Sequence, residues 1–394
     1  SVRVVGRNYA VWAEDSVTVN SGRLTLIATD IADADTRALD STADQPFVLG
    51  SGLTLVSGTW PDGTNIVLTS ATDSGKIALA RYLRIVPSHT HCLCGDSTYD
   101  GHAAHTDVAW LPWAATDSLP TLAGYYYLED DVTLPAGVIR LPDGVVLCLN
   151  GKHIRGAEGD AACITVNGTL SLTDCSATGS IGNVTLASGK LTMWGGKIAE
   201  NTTLLVDPGN AFTMQGRAVN EGYLIITGNS GLIMDGNAKN RGVIQLMETA
   251  GAGNIVFRGY AEGGVVRIAQ PQEDAGIRVV GNAKIAELIG VSSSAIRLVM
   301  QDDAEIGRVE NVVFNSPQLS GNAKLGSADS SFEMRTRKKE EVITVRDRVQ
   351  LFGTVTVSLE QDGEFMLGGW ASITGTLILS RAEGTKKPAK LILT

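Results

Sequence analysis

From Gly189 to Gly326 the chain repeats one pattern, an apolar-x-apolar-x-Gly run. It reads Leu191, Met193, Gly195; Phe212, Met214, Gly216; Leu232, Met234, Gly236; Ile255, Phe257, Gly259; and Ile277, Val279, Gly281. The glycines step by 21, 20, 23 and 22 residues. The series runs on through Leu298, Met300 and Asp302 to Leu319 and Gly321, with Asp replacing Gly once. It also runs backwards, to Leu147, Leu149, Gly151 and to Leu170, Leu172, Asp174. A self-similar period of roughly 20–25 residues marks a solenoid. The rhythm inside each unit says which kind. Apolar and polar residues alternate, as in a strand with one buried face, and no unit holds a helical i, i+3, i+4, i+7 pattern. Gly or Asp supplies the left-handed backbone of a tight corner. A second apolar set precedes most of these strands, such as Leu224 with Ile226 and Ile244 with Leu246. Two or three short strands per coil, stacked in register, predict an all-β fold, a right-handed parallel β-helix.

Composition agrees with this. Aromatics are only 5% and glycines number 45, which suits short strands and corners. The net charge of −10 argues against a nucleic-acid-binding or anionic-membrane surface. The basic run from Arg335 to Lys339 is followed by Glu340 and Glu341 and reads as a solvated loop. No apolar run approaches the ~18 residues of a membrane span, so membrane insertion is not expected. The start at Ser1 reads as a trimmed or processed one.

Residues 1–87 lack the repeat. Short alternating pieces (Val17 to Val19, Leu24 to Leu26, Phe47 to Leu49, Leu53 to Leu55, Ile66 to Leu68, Tyr82 to Val86) are separated by turn signals such as Pro61-Asp62-Gly63. Asp30 to Asp40 is the one segment here that suits a short helix. Two readings stand: a small immunoglobulin-like β-sandwich, or an N-terminal cap of the solenoid.

Residues 88–118 form a His/Cys-rich junction. The whole chain has 5 His and 5 Cys, and four of the histidines and two of the cysteines fall between positions 89 and 105. Thiolate and imidazole at close spacing are what tetrahedral zinc takes. Cys92, Cys94, His102 and His105 would complete a Cys₂His₂ set for a structural Zn²⁺, with His89 and His91 as further ligands. The Cys-x-Cys spacing is not that of a standard zinc finger. A strained Cys92–Cys94 disulfide, or plain polar loop residues, are the alternatives. Nothing marks the open position and general base that a catalytic zinc needs.

The run His89-x-His91-Cys92-x-Cys94-Gly95, then Gly101-His102 to His105, Trp110 to Trp113, Gly124 to Asp131, Leu147 to Gly151 and Leu172 to Cys175 resembles a module of large secreted surface proteins of gut Firmicutes. The resemblance covers about residues 88–200. It implies an extracellular, cell-wall-associated repeat protein with a pectin-lyase-like β-helix, and it supplies no catalytic residues. The metal reading comes from ligand chemistry, not from the resemblance.

The solenoid is expected over residues 119–394, with an irregular insertion near 327–341. Trp110, Trp113 and Tyr125 to Tyr127 read as a plug for an open end of the β-helix, with a sugar-stacking platform as the alternative. Cys148 and Cys175 flank the same turn on successive coils and are expected to be neighbours, paired or as free thiols. The last residues, Lys390 to Thr394, read as a final strand or an edge that pairs with another subunit.

Catalysis finds little support in the pattern. His153 is the one histidine inside the repeats, and Asp302-Asp303 occupies a turn where Gly-Asn stands in sister coils. Arg217, Arg241, Arg258, Arg267, Arg278 and Arg297 do not converge in sequence on an acidic cluster. The expectation is a secreted structural or adhesive protein without catalytic activity, presenting loops such as Glu248 to Asn254 and Gln270 to Gly276 to a host glycan or protein. A polysaccharide lyase or glycoside hydrolase of the β-helix type is the alternative, and a self-assembling fibre subunit is another.

Overall fold

A computed structural model of the protein describes residues 1–93, 106–157, 162–247, 254–269, 275–381 and 389–394. The fold is all-β, 57% strand, with a parallel β-solenoid of about 16 turns. The chain divides into two compact units: Ser1–His91 with Asp107–Ala114 and Gly124–Glu129, and Cys92–Thr106 with Ala115–Ala123 and Asp130–Thr394.

The second unit is the solenoid, and its interior is built from columns of side chains. Leu147, Leu172, Met193, Met214 and Met234 are Cα partners in successive coils. The same column continues through Phe257, Val279, Met300, Leu319, Val345, Leu367 and Leu393. Met193, Met214 and Met234 are fully buried. A second column runs through Leu186, Val206, Ile226, Leu246 and Ile268. The alternation read from sequence is thus the inside-outside alternation of each strand, repeated at the strand spacing of about 4.8 Å. A third face carries very short strands, among them Lys197–Ile198, Val219–Asn220 and Lys239–Asn240. Each regular coil therefore has three strands.

The corner glycines do what their position requires. Gly216 has φ +60°, and a Cβ there would lie 2.5 Å from the Trp194 carbonyl oxygen. Asp302 and Asp347 hold the same corner conformation, each with φ 62°. Asp302 offsets that strain by accepting the Gly281 N–H at 3.2 Å, and Asp303 accepts the Asn322 amide at 2.8 Å. The acidic pair is therefore engaged in the turn. In sister corners the left-handed residues are Gly236, Gly281 and Gly321. The asparagines that follow them, Asn237, Asn282 and Asn322, are not among the positive-φ residues.

The rhythm does not stop where the sequence is irregular. Ser331–Arg335 is a strand paired with Glu305–Leu319 and with Gln350–Leu359. Phe332 and Met334 are buried in it.

The first unit combines two modes of pairing. Val2–Gly6, Tyr9–Ala13 and Val17–Val19 each pair in parallel with Leu24–Ala28, Arg37–Ser41 and Phe47–Leu49. That is two coils of three strands. Tyr82–Pro87 then pairs antiparallel with Leu24–Ala28 and with Leu53–Gly58. The core gathers Leu26, Leu39, Phe47, Leu55, Ile77, Leu83 and Ile85. Asp30 to Asp40 is not helical. Asp30 and Asp33 carboxylates accept the N–H groups of Ala32 (3.1 Å) and Asp35 (2.9 Å), which fixes turns, and Arg37–Ser41 is then drawn into a strand. The α-helix in this unit is Ser74–Leu79, whose N-cap Asp73 accepts the Lys76 N–H at 3.0 Å. Among the described residues no helix is long and apolar enough to cross a membrane.

Candidate metal ligands and a cationic groove

In the first unit His89 and His91 leave a strand end on the same side. Thr90–His91 pairs antiparallel with Val108–Ala109. His89 stacks on Tyr127 at 4.3 Å between ring centroids, and His91 stacks on Trp110 at 4.4 Å. The Trp110 indole N–H donates to the His91 carbonyl at 3.0 Å, so both rings are set by aromatic walls. Their Nε2 atoms are 3.1 Å apart. Two nitrogens on one zinc, at bonds of about 2.0–2.1 Å and tetrahedral angles, stand about 3.4 Å apart. Of the aromatics here, Trp110, Tyr126 and Tyr127 are buried, Trp113 is half-buried and Tyr125 is exposed. Burial, and then the Glu129 charge, push the Tyr127 phenol up to about 12. Glu129 is held by Arg84 and, at 3.1 Å, by Arg23.

In the second unit Cys148 ends the strand Val145–Cys148, with its Cα opposite Thr173 of the next coil. Asp174 then anchors the corner. One of its oxygens accepts Gly151 N–H (2.8 Å) and Ser176 N–H (3.3 Å), and the other accepts Gly179 N–H (2.7 Å). This fixes Cys175, and its Sγ lies 3.7 Å from that of Cys148. Two thiolates on one zinc, at about 2.3 Å each, stand about 3.8 Å apart. The Cys175 thiol beside it, and then burial, push the Cys148 thiol far above its ordinary value. Cys163, half-buried, belongs to a different part of the coil, aligned with Val138 and Thr185.

Among the described residues, His89 with His91 in the first unit and Cys148 with Cys175 in the second are each a close pair of metal-type donors. Two of these, His89 and His91, were named by the sequence as further ligands. Cys92 is buried. Cys94, His102 and His105 lie outside the described residues, as do most of the 248–254 and 270–276 loops.

Farther along the solenoid is a groove of about 500 Å³ lined by Lys197, Arg217, Lys239 and Arg241, with Val219 and Asn237. Its basis is a register column: Lys197, Val219 and Lys239 are successive Cα partners. Beyond Lys239 the column alternates charge, through Glu262, Lys284, Glu305 and Lys324. There the ion pairs close on themselves, Lys239 with Glu262 at 2.8 Å and Lys284 with Glu305 at 3.0 Å. At Val219 the alternation fails, and an apolar floor lies between two lysines. Glu221 approaches Lys197 (3.3 Å) and Arg241 (3.5 Å) from the side. The lining's one carboxylate is Asp174, and its oxygens already accept three backbone N–H groups. Thus Arg217 and Arg241, scattered in sequence, do converge in space, but on cations. His153 lies nearby in the same column, its Nδ1 2.8 Å from Ser180 Oγ. That is a coil-to-coil contact, and Ser180 is buried.

No known family, curated protein or solved structure matches the chain. The fold and these residues carry the functional reading by themselves.

Proposed function

We propose that this chain is a non-catalytic β-solenoid scaffold of the extracellular surface that binds an acidic glycan along the Lys197–Arg241 groove. The observation that carries this reading is the groove's make-up. Four cationic side chains and the apolar Val219 line it, Glu221 and Glu262 pair with three of the cations from outside the lining, and the lining's own carboxylate is committed to backbone amides. A glycan carboxylate or sulfate would pair with the cations, and a sugar ring's apolar face would lie on Val219. Lys197 and Lys239 are two coils apart, about 10 Å at the strand spacing, so they meet charges on a chain better than one small anion. Hydrolysis needs a pair of carboxylates flanking the bond, and the groove offers none that is unengaged. The extracellular setting rests on the resemblance of the His/Cys module to secreted surface proteins.

The test is binding to a carboxylated or sulfated polysaccharide beside a neutral one of the same length. The acidic chain should bind tighter, and K197A/K239A/R241A should weaken it about tenfold or more, corresponding to roughly 1.4 kcal/mol. Equal affinity for the neutral chain would refute the reading, and release of new reducing ends would place the protein among enzymes.

We infer further that the Cys148–Cys175 pair takes Zn²⁺ in a structural role. Zinc prefers thiolate ligands, and the two sulfurs have nearly the separation of a tetrahedral edge. Elemental analysis should find about one equivalent per chain, and C148S should bring it below half. A wild-type protein that takes up no zinc from buffered metal would refute this.

A further inference from the structure

The two thiols on neighbouring coils have a chemistry that needs no ion. Their sulfurs are 3.7 Å apart, whereas a disulfide bond is about 2.05 Å long. Closing that gap takes less than about 2 Å of sulfur movement, within reach of side-chain rotation. The backbones need little movement, because the strand ending at Cys148 is already in register with the residue two places before Cys175. The Asp174 carboxylate holds the corner in place with its three amide contacts. The two sulfurs differ in access: Cys148 is fully buried and Cys175 is exposed. Only Cys175 can meet a reagent from solution. Among the described residues, Cys175 is the thiol beside Cys148.

We propose that Cys148 and Cys175 form a reversible dithiol–disulfide pair, with Cys175 as the outer, attacking thiol and Cys148 as the buried, resolving one. The oxidant is a small-molecule disulfide such as oxidised glutathione. The Cys175 thiolate attacks one sulfur of that molecule. Its S–S bond breaks, one half leaves as a thiolate, and a mixed disulfide forms on Cys175. With Cys175 capped, the proton that Cys148 donates toward it is released, and the Cys148 thiolate attacks Cys175 Sγ and displaces the second half. Two electrons pass from the cysteine pair to the small disulfide. The two protons lost by the cysteines end on the two small thiols released. The product is a cross-link between one coil and the next, at a place where the parallel pairing already aligns them. Oxidation and metal binding exclude each other, since a sulfur in a disulfide is no longer a thiolate ligand. The inference does not depend on the zinc reading.

Metal-free full-length protein, prepared with a chelator, would be equilibrated in mixtures of oxidised and reduced glutathione and then acid-quenched. Intact mass should fall by two hydrogens, and peptide mapping should recover one cross-link, between Cys148 and Cys175. C148A should stop at the adduct on Cys175 and hold it about tenfold longer than wild type, because the resolving thiol is gone. C175S, altered at an exposed side chain, should form neither adduct nor cross-link at Cys148. The proposal fails if wild-type Cys175 keeps its adduct, if it joins Cys163 or a second chain instead, or if C175S still oxidises at Cys148. A parallel sample preloaded with Zn²⁺ separates the two readings: unchanged oxidation there counts against the metal and leaves the dithiol standing.

Discussion

At the scale of single residues, burial of polar groups sets how the first unit responds to pH. Tyr127 is packed under the His89 ring, and burial together with Glu129 raises its phenol to about 12 from an ordinary 10.0. Burial likewise raises Tyr126 and, together with the Glu129 charge, Tyr82. The sign follows from which state ionises first. Below pH 10 the phenols are neutral folded and unfolded, and their contribution is intact. Between pH 10 and about 12 the unfolded chain loses the Tyr127 proton while the folded one keeps it, so stability falls across that window. Alkaline titration should therefore show Tyr127 ionising late, near 12 or in step with loss of structure, and Tyr127→Phe should remove part of the alkaline loss. Tyrosinate absorbance and circular dichroism on one sample decide it. A folded protein whose Tyr127 titrates at its ordinary value, with Tyr127→Phe unchanged, would contradict this account.

At the scale of the coil, the least regular strands hold the most specific contacts. Asn220 and Asn240 occupy equivalent inward positions in consecutive corners and are buried. The Asn240 side chain accepts from the Asn220 amide at 2.7 Å and donates to the Gly263 and Val265 carbonyls at 2.6 and 3.1 Å. Asn240→Ala leaves those partners buried and unmet, and should cost about 1–3 kcal/mol. Asn240→Asp should cost more, since a carboxylate cannot donate to the two carbonyls. Denaturant unfolding measures both, and unchanged midpoints would show that water replaces the amide. The strand alternation was legible in the sequence because inside and outside differ in polarity at every second residue; the methionine column follows from it. These asparagines were not read, because a two-residue strand has no period to display, although Val219-Asn220 and Lys239-Asn240 each precede a glycine by one residue. The same limit hid the groove. Lys197 and Lys239 meet only through the register of intervening Val219, which linear spacing does not show. Cys148 and Cys175 were readable as neighbours since both flank recognisable corners. His89 and His91 offered a metal motif, and the structure sets their two Nε2 atoms side by side.

At the scale of the whole molecule, function and stability are distributed differently along the solenoid. Each coil contacts mainly its neighbours, so a core defect weakens the stack locally and spreads little. The groove draws on coils between Lys197 and Arg241. Phe365, fully buried, stacks several coils farther on, between Ile343 and Leu391. Phe365→Ala should remove about 3–5 kcal/mol from that region. Hydrogen exchange should quicken in the strands Val342–Val345, Glu364–Leu367 and Lys390–Leu393. Strands around Lys197 should keep their protection, and affinity for an acidic glycan should stay within about twofold of wild type. Met214→Ala is the counterpart, because Met214 lies beneath the groove coils, partnered with Met193 and Met234. A cost of about 2–5 kcal/mol there should loosen the coils that hold Lys197 and Lys239 in register and weaken binding along with stability. If both substitutions weaken binding equally, the stack unfolds as one cooperative body and coil-by-coil additivity does not describe it. If neither does, the groove's cations do not depend on register, and acidic-glycan binding belongs to another surface.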